Sequence, residues 1–378
     1  MKRIFSIATI LALTACTAGI EDQTVNGSGN NGETPPTIST FAYAEGAAIT
    51  ADTSGYDYIF DSDLTTSTVN TTNITMACPT TAISTSVSYT SASKTVTILP
   101  TEAALAQYQT AACTTTFGTG VQNSSSVAMG AISRSGTLGC FSGGDIFSND
   151  TVTGSCWTTH NSDATDITSR ISVTGGVLRG AMSTGSGAAD GYNVTVYKTL
   201  TSPGNVAVSA CLPSGDTNSD ADSLSTLGIS TNFGEGVGVA VLSDDNTRNG
   251  IEFMHGFTTL AGPITDAYAR YITSGVPAAP QRTAVAENAS NQICLCLVQT
   301  ADSSYSLFIS NGTSLSWSAV TAPTTAAVSV TGNKRAAIYF HGVDNAYTAD
   351  ITSARISSGF STTGVSDIST LCPDPLFQ

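Results

Sequence analysis

The chain has 378 residues, with 13 Lys and Arg against 28 Asp and Glu and a formal net charge of −15. Only 11% of residues are charged while 40% are hydrophobic, a balance that excludes an intrinsically disordered chain. So few basic residues in so acidic a chain exclude nucleic acid as a partner, since phosphate binding needs clustered Lys and Arg. Thr fills about one position in six and Ser and Gly are abundant, so the composition favours strands and turns over helices. The length suits about two domains. With three scattered histidines, His-based metal or proton chemistry has little to build on.

The N-terminus begins Met1-Lys2-Arg3 and continues with an apolar run from Ile4 to Leu13. That run is too short to cross a bilayer and has the layout of a signal peptide. It ends Leu13-Thr14-Ala15-Cys16, which resembles the lipobox of bacterial lipoproteins. The resemblance implies a signal peptide over 1–15, cleavage before Cys16 and lipidation of Cys16, which makes the membrane a partner through the anchor. Cleavage removes two of the basic residues and no acidic one, taking the formal charge from −15 to −17. It also accounts for the odd cysteine among nine: Cys78, Cys113, Cys140, Cys156, Cys211, Cys294, Cys296 and Cys372 remain, an even set that can form disulfides in an oxidising compartment. Thr17 follows the lipidated residue where inner-membrane retention would call for Asp, so the expected location is the bacterial outer membrane, facing the periplasm or the cell surface. Residues 16–35 include Asn26-Gly27-Ser28-Gly29-Asn30-Asn31-Gly32, a flexible tether.

From 36 to 128 the chain reads as short strands. Tyr56, Tyr58 and Phe60 share one face of the first, Asn73–Cys78 follows, and Thr85–Thr90 with Lys94–Leu99 forms a hairpin across Ser91-Ala92-Ser93. A last long strand is expected over Gln107–Phe117. Phe60-Asp61-Ser62-Asp63-Leu64-Thr65-Thr66-Ser67-Thr68-Val69, Lys94-Thr95-Val96-Thr97-Ile98-Leu99-Pro100 and Gly120-Val121-Gln122-Asn123 resemble stretches of bacterial SbsA-type Ig-like domains. Such modules are usually spacers. Cys78 and Cys113 are the only cysteines of this segment, so they are expected to pair.

Residues 139–378 supply about a dozen further strands and no convincing helical period. Ile293, Leu295 and Leu297 share one face of one strand; Cys294, Cys296 and Val298 share the other. Asp145-Ile146-Phe147-Ser148 with Trp157, the hairpin Ile171–Leu178, Ile293–Val298, Tyr305–Gly312 with Trp317, and Ala337–Phe340 with Ala349–Ile356 follow one another in an order that resembles concanavalin A-like (lectin/glucanase) jelly rolls. The expected fold is therefore all-β, an Ig-like β-sandwich followed by a jelly-roll β-sandwich. Cys140 with Cys156 would close the start of the second domain. Cys211, Cys294, Cys296 and Cys372 would make two staples, one tying down the C-terminus.

Candidate sites in this domain each have a plainer reading. Asp216, Asn218, Asp220 and Asp222 alternate like oxygen ligands of a calcium loop, yet Ala221 stands where the loop glycine belongs and Leu227 where a closing Glu belongs; a solvated acidic turn is favoured. Asp244-Asp245-Asn246 is a second such turn. Trp157 and Trp317 could stack on sugar rings but sit where the resembling family has core tryptophans, and Tyr268 and Tyr271 are alternatives. His160, His255 and His341 are isolated. Retaining glycan hydrolysis needs two carboxyls about 5 Å apart, and Glu235, Glu252 and Glu287 lack the clustered pattern. The expectation is a non-enzymatic, lipid-anchored envelope protein whose jelly roll binds glycan or a neighbouring envelope protein. A structural or assembly role is the alternative, and glycan hydrolysis a more distant one.

Overall fold

The computed structural model describes residues 33–147, 156–161, 170–182, 192–212, 235–245, 249–258, 264–278, 281–284, 292–312, 314–323, 327–342 and 347–376. Cys16 and the alternating Asp216, Asn218, Asp220 and Asp222 lie outside these residues. The described chain is all-β apart from one six-residue α-helix and three short 3-10 turns, and it forms two successive β-sandwiches.

The first sandwich packs a four-stranded sheet, in the order Ile38–Thr40, Tyr56–Phe60, Thr95–Pro100, Thr85–Thr90, against a five-stranded one, in the order Ala47–Ile49, Ile132–Leu138, Ala112–Phe117, Ile74–Cys78, Thr81–Ala82. The hairpin Thr85–Thr90 with Thr95–Pro100 forms as its alternation predicts, and Lys94 closes its turn in the left-handed region at φ 53°. Tyr56, Tyr58 and Phe60 all point inward, as do Val96 and Ile98 across the ladder. They meet Ile74, Met76 and Phe117 from the other sheet, with the Tyr58 and Phe117 rings edge to face at 4.9 Å. Cys78 and Cys113 are fully buried and disulfide-bonded between neighbouring strands of that sheet. The stretch between the two units read from the sequence supplies strand Ile132–Leu138, which pairs with Ala112–Phe117 and runs parallel to Ala47–Ile49.

One expectation fails here. The strand expected over Gln107–Phe117 starts only at Ala112, because Glu102–Gln107 is a helix. Thr101 caps it, its side chain accepting from the Ala104 amide, and Glu-Ala-Ala-Leu-Ala-Gln are good helix formers.

The second sandwich is larger. One antiparallel sheet runs Gly144–Asp145, Ser353–Ser358, Val206–Cys211, Gln292–Ala301, Ser304–Gly312, Ser318–Val320. The facing sheet runs Thr158–Asn161, Tyr192–Leu200, Lys334–Gly342, Glu235–Ser243, Gly250–Thr258, Ile264–Thr273, with Val276–Pro277 and Gln281–Ala284 both on the last. A small third sheet, Ile171–Thr174, Val177–Met182 and Tyr347–Ile351, contributes Leu178 and Ile351 to the same core. Between the two large sheets lie Val206, Val208, Leu295, Leu297 and Leu307 on one side and Val237, Val239, Ile251, Phe253 and Ile338 on the other. All of these are 0–1% exposed and make a single close-packed core.

The outer face of the six-stranded sheet is not left to solvent. Ala207, Cys296, Val298 and Phe308 are covered by the C-terminal segment, whose Phe360, Ile368 and Leu371 pack on them together with Trp317. Cys296–Cys372 fixes that segment covalently, and Cys211–Cys294 links directly opposed residues of neighbouring strands. Cys140–Cys156 closes the start of the second sandwich, so all four expected staples form.

The two sandwiches meet through polar contacts. Gln109 donates to the Gly144 carbonyl at 3.1 Å and accepts from the Phe141 amide at 2.9 Å. Lys198 Nζ donates to the carbonyls of Phe141 and Gly144. Arg355 pairs with Glu102 of the helix.

Candidate functional site

The outer face of the eight-stranded sheet gathers the chemistry-bearing residues of the larger sandwich. Strand alternation sends Val237, Val239, Ile251, Phe253, Ala267, Ala269, Ile338 and Phe340 to the core. It sends Ala240, Glu252, Met254, Tyr268, Arg270, Tyr339 and His341 to the other side. Register then decides which of them meet. Glu252 lies directly opposite Arg270, Met254 opposite Tyr268, and Gly236 opposite His341.

Glu252 and Arg270 form an ion pair through Oε1 and Nε, with both side chains 0% exposed. Burial pushes the Glu252 carboxyl above its usual range, and the adjacent guanidinium opposes that shift. The central strand is small: Gly236, Gly238 and Ala240 make the floor. At Gly236 the smallness is required, since a Cβ there would lie 2.6 Å from the His255 carbonyl oxygen and 3.1 Å from the Tyr268 hydroxyl. The Tyr268 hydroxyl reaches the Met254 sulfur at 3.9 Å, and the Tyr339 and His341 rings stack at 6.5 Å. At one side of the face Arg335 lies 4.6 Å over the Tyr197 ring and bonds Asp244 at 2.7 Å. Tyr197, Tyr268, Tyr339 and His341 are all buried, so no flat aromatic platform lies open on this face among the described residues.

The other sequence candidates scatter. Trp157 is in the core, 7% exposed, with its Nε1 donating to Asp145 at 2.9 Å. Trp317 is half-buried on the same apolar patch as the C-terminal segment, and Tyr271 packs in the core against Tyr305. His160 sits half-buried on the edge strand Thr158–Asn161. Burial lowers His255 to about 4, which makes it neutral at pH 7. Asp244 and Asp245 serve the fold, pairing with Arg335 and accepting from the Ser243 hydroxyl. Glu235 lies in its strand with its side chain outside the described set, and Glu287 is outside it altogether. No group of three or more metal-ligating side chains occurs among the described residues.

Every carboxylate of the larger sandwich whose side chain is described has a structural partner. Besides Glu252, Asp244, Asp245 and Asp145, Asp350 pairs with Arg179 at 2.6 Å and Asp302 faces Lys334 at 3.6 Å. Asp367 caps the last 3-10 turn, and Asp374 accepts from the Leu376 amide. Arg270 was missed by the sequence reading. Its signal was a single cation in the otherwise apolar run Ala267-Tyr268-Ala269-Arg270-Tyr271.

No family model and no curated protein matches this sequence. Among solved structures the chain is similar to a xylan β-1,4-xylosidase from Bacillus halodurans C-125, at 11% identity over 72% of this chain and 52% of that one, with a TM-score of 0.38. The chain thus spans about half the length of that enzyme. It is also similar to the Lotus tetragonolobus seed lectin (6% identity, 53% of this chain, 92% of that one, TM-score 0.33). A third likeness is to the Bacillus licheniformis β-glucanase (13% identity, 58% of this chain, 99% of that one, TM-score 0.33).

Proposed function

We propose that this is a lipid-anchored protein of the bacterial outer membrane in which an Ig-like sandwich carries a jelly-roll sandwich that binds glycan without cleaving it. Cys16 carries the lipid and residues 17–35 are the tether. The observation that supports a binding role over a hydrolytic one is the state of the carboxylates. Glycosidic cleavage needs one carboxyl as acid and a second as nucleophile or base, both facing the substrate. Glu252 is held by Arg270 beneath the sheet surface, and the other carboxylates of the larger sandwich whose side chains are described are taken up by Arg, Lys, Trp, Ser or backbone partners.

The test is a glycan array probed with the purified protein, with and without calcium, run beside an assay for released reducing sugar on every glycan bound. Binding without release is the expected result. Release of sugar that is lost in Glu252→Gln would overturn the non-catalytic reading, and no binding under either condition would overturn glycan recognition.

A further inference from the structure

A cavity of about 330 Å³ opens where the two sandwiches meet. Three pieces of the chain wall it: Glu102 on the short helix of the first sandwich, Arg355–Ser357 on the six-stranded sheet of the second, and the C-terminal segment with Phe360, Thr370 and Asp374. Each wall is fixed. The C-terminal segment is tied by Cys296–Cys372 and by the Ser209 hydroxyl, which donates to the Pro373 carbonyl at 2.7 Å. The Ile356 amide donates to the Gly143 carbonyl at 2.9 Å, which holds the sheet against the chain joining the sandwiches. Arg355 spans the gap, pairing with Glu102 on one side and donating through Nη1 to the Asp374 carbonyl at 3.2 Å on the other. The volume lies at the lower end of the roughly 300–1,000 Å³ range of small-ligand sites.

The lining chemistry narrows the ligand. Guanidinium donors and carboxylate acceptors stand side by side, with the hydroxyls of Ser357 and Thr370 nearby. Phe360 and Leu371 supply an apolar wall. A simple anion gains little here, because Glu102 already neutralises Arg355. A wholly apolar ligand would strip water from the charged groups without replacing their hydrogen bonds. Vicinal hydroxyls on a ring with a C–H face satisfy both halves of the lining at once.

We propose that this junction cavity binds one ring, or the terminal ring of a short chain, of a polyhydroxylated ligand. Arg355 donates to its hydroxyl oxygens, Glu102 accepts its hydroxyl hydrogens, and Phe360 lies against its carbon face. The inference rests on the glycan reading above and assigns recognition to the junction, away from the buried outer face of the eight-stranded sheet. Because the ligand touches both sandwiches, it also braces them against each other.

The test uses the glycan array with the wild-type protein and two variants, followed by titration with the methyl glycosides of the sugars that bind. Thr370→Trp fills the cavity from an exposed position and leaves the Arg355 contacts intact. Arg355→Met removes the donor. Near-ultraviolet circular dichroism establishes that each variant is folded, and Thr370→Trp keeps the test decisive if Arg355→Met is not. The expected result is a loss of affinity of about tenfold or more in each folded variant, the scale of losing a charge-assisted hydrogen bond or the space for the ring. Unchanged affinity in Thr370→Trp overturns the junction site and leaves glycan recognition standing. A wild-type protein that binds no glycan overturns the glycan reading itself.

Discussion

Lys198 gives the most direct physical test of how the two sandwiches are joined. It points inward from strand Tyr192–Leu200, is 8% exposed, and donates to the carbonyls of Phe141 and Gly144. Its ammonium lies 4.8 Å from the centre of the Trp157 ring. Burial lowers its pKa from 10.5 to about 8, with the nearby Asp145 opposing the shift. In the unfolded chain this lysine keeps its proton to about pH 10.5, whereas in the folded protein it gives the proton up near pH 8. Between those values the unfolded state binds more protons, so stability rises with pH across the window. At about 1.4 kcal/mol per pH unit the rise attributable to Lys198 is about 3 kcal/mol. Lys198→Met removes the titrating group and fills similar space. Urea unfolding of both proteins at 25 °C, from pH 7 to pH 10.5, measures the difference at each pH, and the tyrosines that ionise at the top of the range cancel between them. The wild type should gain about 3 kcal/mol on the variant between pH 7.5 and 10.5, whatever the offset at pH 7 from the lost carbonyl bonds and ring contact. Parallel stability curves, within about 0.5 kcal/mol over the whole range, would refute a buried charged amine at the junction.

Three further outcomes follow from the same structure. Replacing Cys296 and Cys372 together by Ser opens a loop of sequence separation 76 and should cost about 4.5 kcal/mol on the loop-entropy estimate, read as a lower urea midpoint. Glu252→Ala leaves the Arg270 charge buried and should cost about 3–5 kcal/mol, whereas Glu252→Leu combined with Arg270→Met should recover most of that loss. A double-mutant cycle showing no coupling between the two residues would contradict the buried pair. Cys16→Ser removes the thiol that takes the lipid, so labelled palmitate supplied to growing cells should no longer be incorporated into the protein.

Where one residue's surroundings are set by its immediate neighbours, the sequence reads cleanly. Tyr56–Phe60 and Thr95–Pro100 alternate without a break, and their inward residues are the ones buried. The eight cysteines pair as their segments suggest. The helix Glu102–Gln107 was legible too, in the helix-forming run after Thr101, but a short helix inside an all-β stretch is masked by its context. Tyr108 ends it and Thr110 turns at φ 61°, which delays the next strand to Ala112. Strand Ile132–Leu138 escaped because only Gly136 and Leu138 of its seven residues are buried, so it carries no apolar period to detect. The Glu252–Arg270 pair depends on register between two strands, and the sequence shows only its halves. Gln109 and Lys198 leave no pattern at all, since nothing local in the sequence marks the backbone groups that they reach across the junction.

Strand Gln292–Ala301 links the composition of the chain to the shape of the junction. Had one face of it met water, the positions alternating with Ile293, Leu295 and Leu297 would be polar. They are Cys294, Cys296 and Val298, and all three are buried. The strand is apolar on both faces because the C-terminal segment forms a layer over it, with Phe360 and Leu371 on the apolar patch of Ala207, Val298 and Phe308. The disulfide to Cys372 holds that layer in register with the sheet. The same covered face therefore brings Phe360, Thr370 and Asp374 to the mouth between the sandwiches and keeps them there before any ligand arrives. A pre-formed wall spares a ligand the entropy of ordering it, so opening Cys296–Cys372 should weaken binding at the junction as well as the fold. The cavity would lose its fixed side while Glu102 and Arg355 remained in place on the other.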